Sequence, residues 1–193
     1  LRLCGELLPH GCQFCEMQLA RDETLHIETD DVDNYYHRCG VSLQRALSNA
    51  IGPCLAVENF EGTRALAAAR ERLGSRVAEP RRLQACLGAL PMGDGNAVCY
   101  GELAHVNLLR AHHALPDSDF LRYRAAPPRS STWSGVVVDD HATARKVKKG
   151  SSYEPSSELD CAHRAYAAAG LEPKQAKAVR GAESAEFWGT RLD

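Results

Sequence analysis

Carboxylates at the ends of apolar stretches are where this sequence could do chemistry. In Gly135-Val136-Val137-Val138-Asp139-Asp140, three β-branched residues run into two adjacent aspartates. A buried strand of that kind has no structural use for paired carboxylates at its end. Such a pair suits a hard cation, which takes oxygen ligands. A strand that runs into an ordinary Asp-containing turn would look the same. Upstream, Ile27-Glu28-Thr29-Asp30-Asp31-Val32-Asp33-Asn34-Tyr35-Tyr36-His37 repeats the pattern: a strand-like stretch ends in carboxylates and meets two aromatics.

Between the two lies Leu90-Pro91-Met92-Gly93-Asp94-Gly95-Asn96-Ala97-Val98, a turn opening into a helix. In this order the three segments resemble motifs A, B and C of the palm domain of reverse transcriptases. Motif A is an aspartate followed by an apolar residue and, further on, aromatics; motif B begins Leu-Pro-x-Gly; motif C is aromatic-x-Asp-Asp. Downstream, Lys177 is similar to the motif D lysine. It precedes Phe187-Trp188-Gly189, which resembles the Phe-Leu-Gly type of motif E with Trp188 in the leucine position. The resemblance runs from residue 12 or so to the end. Val137 stands where most members carry Tyr or Phe, and Met92 where retroviral members carry Gln. Residues 38–89 are longer than the corresponding stretch of compact members, and the residues ahead of motif A do not clearly match the basic fingers segment of the family.

The resemblance implies an α+β fold, a polymerase palm-like antiparallel sheet backed by helices on one face, with the motif A and C strands adjacent. It implies an RNA-directed DNA polymerase that joins a dNTP to a primer 3′ hydroxyl on an RNA or DNA template, with two Mg²⁺ ions, or Mn²⁺, at the site. Asp31, Asp139 and Asp140 are then the catalytic metal ligands. Asp30 competes with Asp31, which is favoured because it precedes Val32 and places Tyr36 five positions on. Tyr36 would lie under the incoming sugar and exclude a 2′ hydroxyl; otherwise it is a core tyrosine. Met92 and Gly93 would belong with Tyr36 to the nucleotide-binding set, Gly93 letting the backbone approach template or nucleotide closely; otherwise Gly93 is an ordinary helix-entry turn glycine. Lys177 would give a proton to the departing pyrophosphate; without the family match it reads as a surface lysine. Fingers, thumb and ribonuclease H domains of a longer polypeptide would be partners. The alternative is a catalytically silent palm-like module that binds nucleic acid or a protein.

Composition bounds these readings. The chain has 193 residues, 44% of them hydrophobic, enough for one sizeable core and hence one expected domain, residues 1–193. It begins at Leu1 without a methionine, as a fragment of a longer polypeptide would. No apolar run approaches the roughly 20 residues that span a bilayer, so no membrane role is expected; the sequence does not give the compartment, for which an intracellular setting, cytoplasmic or nuclear, is the expectation. A formal charge of −2 is unlike a nucleic-acid binder. Locally, Arg122, Arg124, Arg129, Arg145, Lys146, Lys148 and Lys149 flank motif C, and Arg64, Arg70, Arg72, Arg76, Arg81 and Arg82 precede motif B; such runs also serve as solvated faces. The eight cysteines are scattered, and most read as small buried hydrophobes. Cys12-Gln13-Phe14-Cys15, with Cys4 and His10 nearby, is half of a zinc pattern with no second pair to complete it.

The elements that must position these residues follow from periodicity. Residues 16–19 and 25–32 read as a hairpin delivering motif A. Residues 41–51 and 63–73 read as helices, the second closed by Gly74, while 81–89 is ambiguous. Cys99, Leu103, Val106 and Leu109 recur at helical spacing, so a long helix follows Asn96 and ends in the polar pair His112-His113. Residues 125–134 and 150–155 read as loops. A helix from Ser157, with Asp160 in a capping-box-like pattern and Leu159, Ala162, Tyr166 and Ala169 on one face, stops at Gly170. Residues 186–192 read as a last strand.

Overall fold

The structure, a computed structural model, describes residues 8–74 and 81–193. Cys4 and Arg76 lie outside the described residues. Along the chain come β1 (Glu23–Asp31), α1 (Tyr35–Arg38), α2 (Leu43–Ser48), β2 (Ala50–Ala56), α3 (Arg64–Leu73) and β3 (Arg82–Cys86). Then follow α4 (Ala97–Ala111), β4 (Thr132–Val137), β5 (Asp140–Lys148), α5 (Ser157–Ala169), β6 (Val179–Ala182), β7 (Ala185–Phe187) and β8 (Thr190–Leu192). The fold is α+β with antiparallel sheets.

The chain divides into two compact units, Leu1–Arg38 with Met92–Asp193, and Cys39–Pro91. The second nearly coincides with the long stretch between motifs A and B. It pairs β2 with β3 antiparallel, with a register shift between Ile51 and Leu55, and carries α2 and α3. Ser42 caps α2 through the Arg45 N–H, and Thr63 caps α3 through the Leu66 N–H. The single helix expected over 41–51 is therefore a short helix and a strand. The ambiguous 81–89 contains β3, and Gly74 does close α3, at φ 62°.

The first unit is built on a four-stranded sheet in the order β4-β5-β1-β6, with all neighbours antiparallel. Because side chains alternate across a strand, each face has its own population. Leu25 and Ile27 of β1, Trp133 of β4 and Ala142 and Ala144 of β5 share one core with Phe14, Met17, Phe187 and Leu192. That face is covered by the 3₁₀ turn Gly11–Glu16 and the β7-β8 hairpin, whose Trp188 ring lies so near Gly135 that a Cβ there would stand 2.8 Å from it. The other face carries His26, Glu28 and Asp30 of β1, all buried, and α4 and α5 lie over it. Glu28 accepts hydrogen bonds from the Ser156 N–H (2.9 Å), the Tyr153 hydroxyl (2.9 Å) and the Ser156 hydroxyl. Ser156 in turn caps α5 through the Leu159 N–H, so the cap is Ser156 rather than Ser157. Gly170 ends α5 in the left-handed conformation.

Several expectations are corrected. Residues 16–19 form no strand; the segment is the end of a 3₁₀ turn and an extended link, and β1 pairs with β5 and β6 instead of with its own upstream neighbour. The strand that leads into Asp139 is β4, yet the strand beside β1 is β5, which leaves the paired aspartates. The terminal strand is a hairpin turned at Trp188-Gly189, both with positive φ.

Candidate functional site

The paired aspartates sit on a hairpin turn. β4 ends at Val137 and β5 begins at Asp140, paired with it, so Val138 and Asp139 make a two-residue turn. Such turns demand positive φ and normally take Asn or Gly. Val138 has φ 57°, an outlier for a β-branched residue. Opposite it, β1 ends where β5 begins: Asp31 is the register partner of Asp140, and the Val32 N–H donates to the Asp139 carbonyl at 3.0 Å. Three expected carboxylate residues thus converge at one end of two neighbouring antiparallel strands.

Alternation separates Asp30 from Asp31. Asp31 falls on the face of Leu25 and Ile27, and Asp140 on the face of Ala142. That face opens into a pocket of about 260 Å³ lined by Thr29, Asp31, Asp140, Lys177, Phe187 and Trp188 among others. Asp30 points to the helices. Its side chain is 0% exposed and is held by His163 Nε2 (2.9 Å) and Arg180 Nη2 (2.5 Å).

Asp31 is matched by two lysines. Lys174 Nζ donates to Oδ1 at 2.7 Å and Lys177 Nζ donates to Oδ2. Burial alone would raise the Asp31 pKa, but these hydrogen bonds and charges outweigh it and hold the carboxyl below the usual range. Asp139 and Asp140 are less well served. Burial first, then the Asp31 charge, raises Asp139. Burial, then Asp139 and Asp31, pushes Asp140 up to about 6. Carboxylates raised in this way are short of positive charge, and the donor set is all hard oxygen, so the residues suit a small dication. Among the described residues no three His, Cys, Asp or Glu side chains stand gathered around one point as an ion would draw them. Both Asp31 oxygens are turned to lysine.

Of the other expected residues, Tyr36 lies close by: a Cβ on Gly101 would meet Tyr35, Tyr36 and Val138 side-chain carbons at 3.4–3.5 Å. Tyr35 is the core tyrosine, its hydroxyl donating to the Gly101 carbonyl at 2.7 Å, while Tyr36 is half-buried. Met92 is 74% exposed, and Gly93 has open space where a Cβ would be, so neither the backbone nor a neighbour requires glycine there. Cys12 and Cys15 are free and exposed, and the His10 ring packs edge-on against Tyr123. Part of the basic clusters is used internally: Arg70 pairs with Glu61, Arg82 donates to the Cys54 carbonyl, and Arg145 donates to the Glu154 carbonyl.

The sequence reading missed Lys174, three positions before Lys177, and the pair Glu102 and His105 on α4. Glu102 Oε2 accepts from the Val138 N–H at 2.6 Å, and burial, which that bond only partly offsets, pushes the carboxyl up to about 7. His105 is buried and lowered to about 4, hence neutral. Its Nδ1 lies 2.8 Å from the Val138 carbonyl, which can only accept, so Nδ1 carries the proton and Nε2 accepts from the Tyr166 hydroxyl at 2.9 Å. The available signal was a Glu and a His one helical turn apart.

No protein-family model matches the chain, and no curated protein matches it either.

Proposed function

We propose that the chain is the palm of an RNA-directed DNA polymerase, a reverse transcriptase that transfers a nucleotide from a dNTP to a primer 3′ hydroxyl. The observation that carries this reading is the register pairing of Asp31 with Asp140, with Asp139 in the turn between β4 and β5. Residues far apart in the sequence bring three carboxylates to one sheet end, against their mutual repulsion. Asp31, Asp139 and Asp140 would hold the Mg²⁺ or Mn²⁺ ions, which supply charge neutralisation for an in-line phosphoryl displacement. Lys177, 62% exposed and beside Asp31, would give a proton to a departing pyrophosphate. The half-buried Tyr36, near Val138, would form the floor of a sugar site. The antiparallel strand order, with α4 and α5 over one face of the four-stranded sheet, supports the same reading.

A second reading has its own observation. Lys174 and Lys177 occupy both oxygens of Asp31, an arrangement that suits a silent palm-like module in which lysine has replaced the metal charge. The test is metal binding followed by primer extension. Titrated with Mn²⁺, the chain binds and Asp139→Asn does not; joined to fingers and thumb, it extends a primer with Mg²⁺ and the Asp139→Asn variant does not. A chain that binds no Mn²⁺, or extends equally well after the Asp139→Asn change, leaves the silent module as the better account.

A further inference from the structure

We propose that Glu102 and His105 are positioning residues for the aspartate turn, holding Val138 in a backbone conformation that valine resists so that Asp139 and Asp140 are presented toward Asp31. The metal half of this inference rests on the polymerase reading; the clamp rests on this chain's own hydrogen bonds.

Val138 is the only residue between the end of β4 and Asp139, so its φ of 57° sets the direction in which Asp139 leaves the turn. In that region a β-branched Cβ crowds its own backbone, so the positive φ that the two-residue turn demands is held against strain. Support comes from one face of α4. Glu102 Oε2 takes the Val138 N–H at 2.6 Å, and His105 Nδ1 gives its proton to the Val138 carbonyl at 2.8 Å. Both polar groups of the strained residue are thus held, and from residues one helical turn apart. The Tyr166 hydroxyl at 2.9 Å fixes the ring that holds the carbonyl. At Gly101, beside Glu102, α4 lies against the turn: a Cβ there would stand 3.5 Å from Val138 Cγ1, at ordinary contact distance.

The environment of Glu102 argues that stability is not the reason for a carboxyl here. The residue is fully buried, and Oε1 is buried with no hydrogen-bond partner. A buried carboxyl with one oxygen unmatched costs the fold, and an apolar residue of the same volume would not. Its one hydrogen bond goes to the turn.

The experiment combines amide hydrogen exchange at Val138 with Mn²⁺ titration, on the chain and on Glu102→Ala, Glu102→Gln and Glu102→Ala with Val138→Gly. Glu102→Ala is expected to speed Val138 exchange and to weaken Mn²⁺ binding about tenfold, the scale on which supporting residues act at metal sites. Glu102→Gln, which keeps the acceptor oxygen, restores both. Val138→Gly accepts positive φ without strain, so in the Glu102→Ala background it restores Mn²⁺ binding while leaving the amide of residue 138 without its acceptor. Unchanged Val138 exchange in Glu102→Ala overturns the clamp. So does a loss of Mn²⁺ binding that glycine at 138 fails to recover, since that loss would come from a damaged core. If the unsubstituted chain binds no Mn²⁺, the polymerase reading and the metal half fall together; amide exchange, which needs no metal, tells that apart from failure of the clamp.

Discussion

On the helix-covered face of the sheet, the strand end is closed: Asp30 is fully buried and gripped by His163 and Arg180, and Glu28 beside it is saturated by Ser156 and Tyr153. On the hairpin face one residue further along the same strand, Asp31 meets Asp140 across the register, with a pocket in front and two water-accessible lysines for partners. Chain neighbours of identical chemistry are therefore a structural group and a candidate functional group, and what separates them is the period of two. On one face charge is compensated by fixed protein groups. On the other it is compensated incompletely, and the shortfall is what a ligand could use.

The contrast can be broken by removing each aspartate. Asp30→Ala empties a fully buried site beside Arg180 and the partly exposed His163, and should cost about 2–3 kcal/mol through the cavity and the lost charge-assisted hydrogen bonds. Asp31→Ala releases two lysines with access to water and should cost under about 1 kcal/mol. Urea unfolding of the two variants checks this, and equal losses would erase the distinction between the faces.

The helix side also contains an ill-matched carboxyl, Glu102, which tests the comparison through pH. Glu102 has its folded pKa raised from 4.5 to about 7. Between those values the folded state keeps a proton that the unfolded state has lost, so this group removes stability as pH rises from 4.5 through 7. The full effect is roughly 3 kcal/mol, at about 1.4 kcal/mol for each pKa unit. Glu102→Gln should flatten that part of the stability profile, measured by denaturant midpoints from about pH 5 to 8. A profile with the same slope in the Gln variant would mean that Glu102 is not the group responsible.

How much of this was legible in the sequence depends on where the burial pattern was carried by apolar residues. β1 showed as a strand-like stretch and β4 as an apolar run, each ending in carboxylates, although residues 132–134 of β4 read as loop; α5 showed its apolar face and its glycine stop. β5 did not, because Asp140-His141-Ala142-Thr143-Ala144-Arg145-Lys146-Val147-Lys148 packs the sheet with alanines, while its lysines and arginine read as a basic flank. That omission hid the real neighbour of β1. In α4 the stripe Cys99, Leu103, Val106 and Leu109 held only in part: Leu103 is exposed, while Gly101, Glu102 and His105 are buried. Polar residues facing a polar turn carry no hydropathy signal, so the clamp was invisible. The 41–51 helix failed where Asn49, Gly52 and Pro53 break it. Asp31 over Asp30 was a choice made on the following Val32 and the spacing to Tyr36; alternation along β1 puts Asp31, and not Asp30, on the face of its register partner Asp140.

One expected effect runs opposite to ordinary mutation. Asp140 is raised from 3.8 to about 6 by burial first and then by Asp139 and Asp31. Its folded pKa lies above its unfolded one, so stability is lost as pH climbs from 3.8 through 6, and at neutral pH the whole penalty is present. Asp140→Asn keeps the volume and removes the charge. With the shift discounted for the water that reaches this pocket, it should stabilise the chain by about 1–2 kcal/mol at about pH 7. For a chain of this length that raises Tm by roughly 2–8 °C. Near pH 4 the two proteins should melt nearly together, because the unsubstituted carboxyl is then largely protonated in the fold. Millimolar Mg²⁺ should stabilise the unsubstituted protein and not the Asp140→Asn variant, since only the former has the charge to reward binding. Calorimetric melts at both pH values, with and without Mg²⁺, measure all three differences. An Asp140→Asn variant that is less stable at neutral pH would mean that Asp140 is as well matched on its face as Asp30 is on the other.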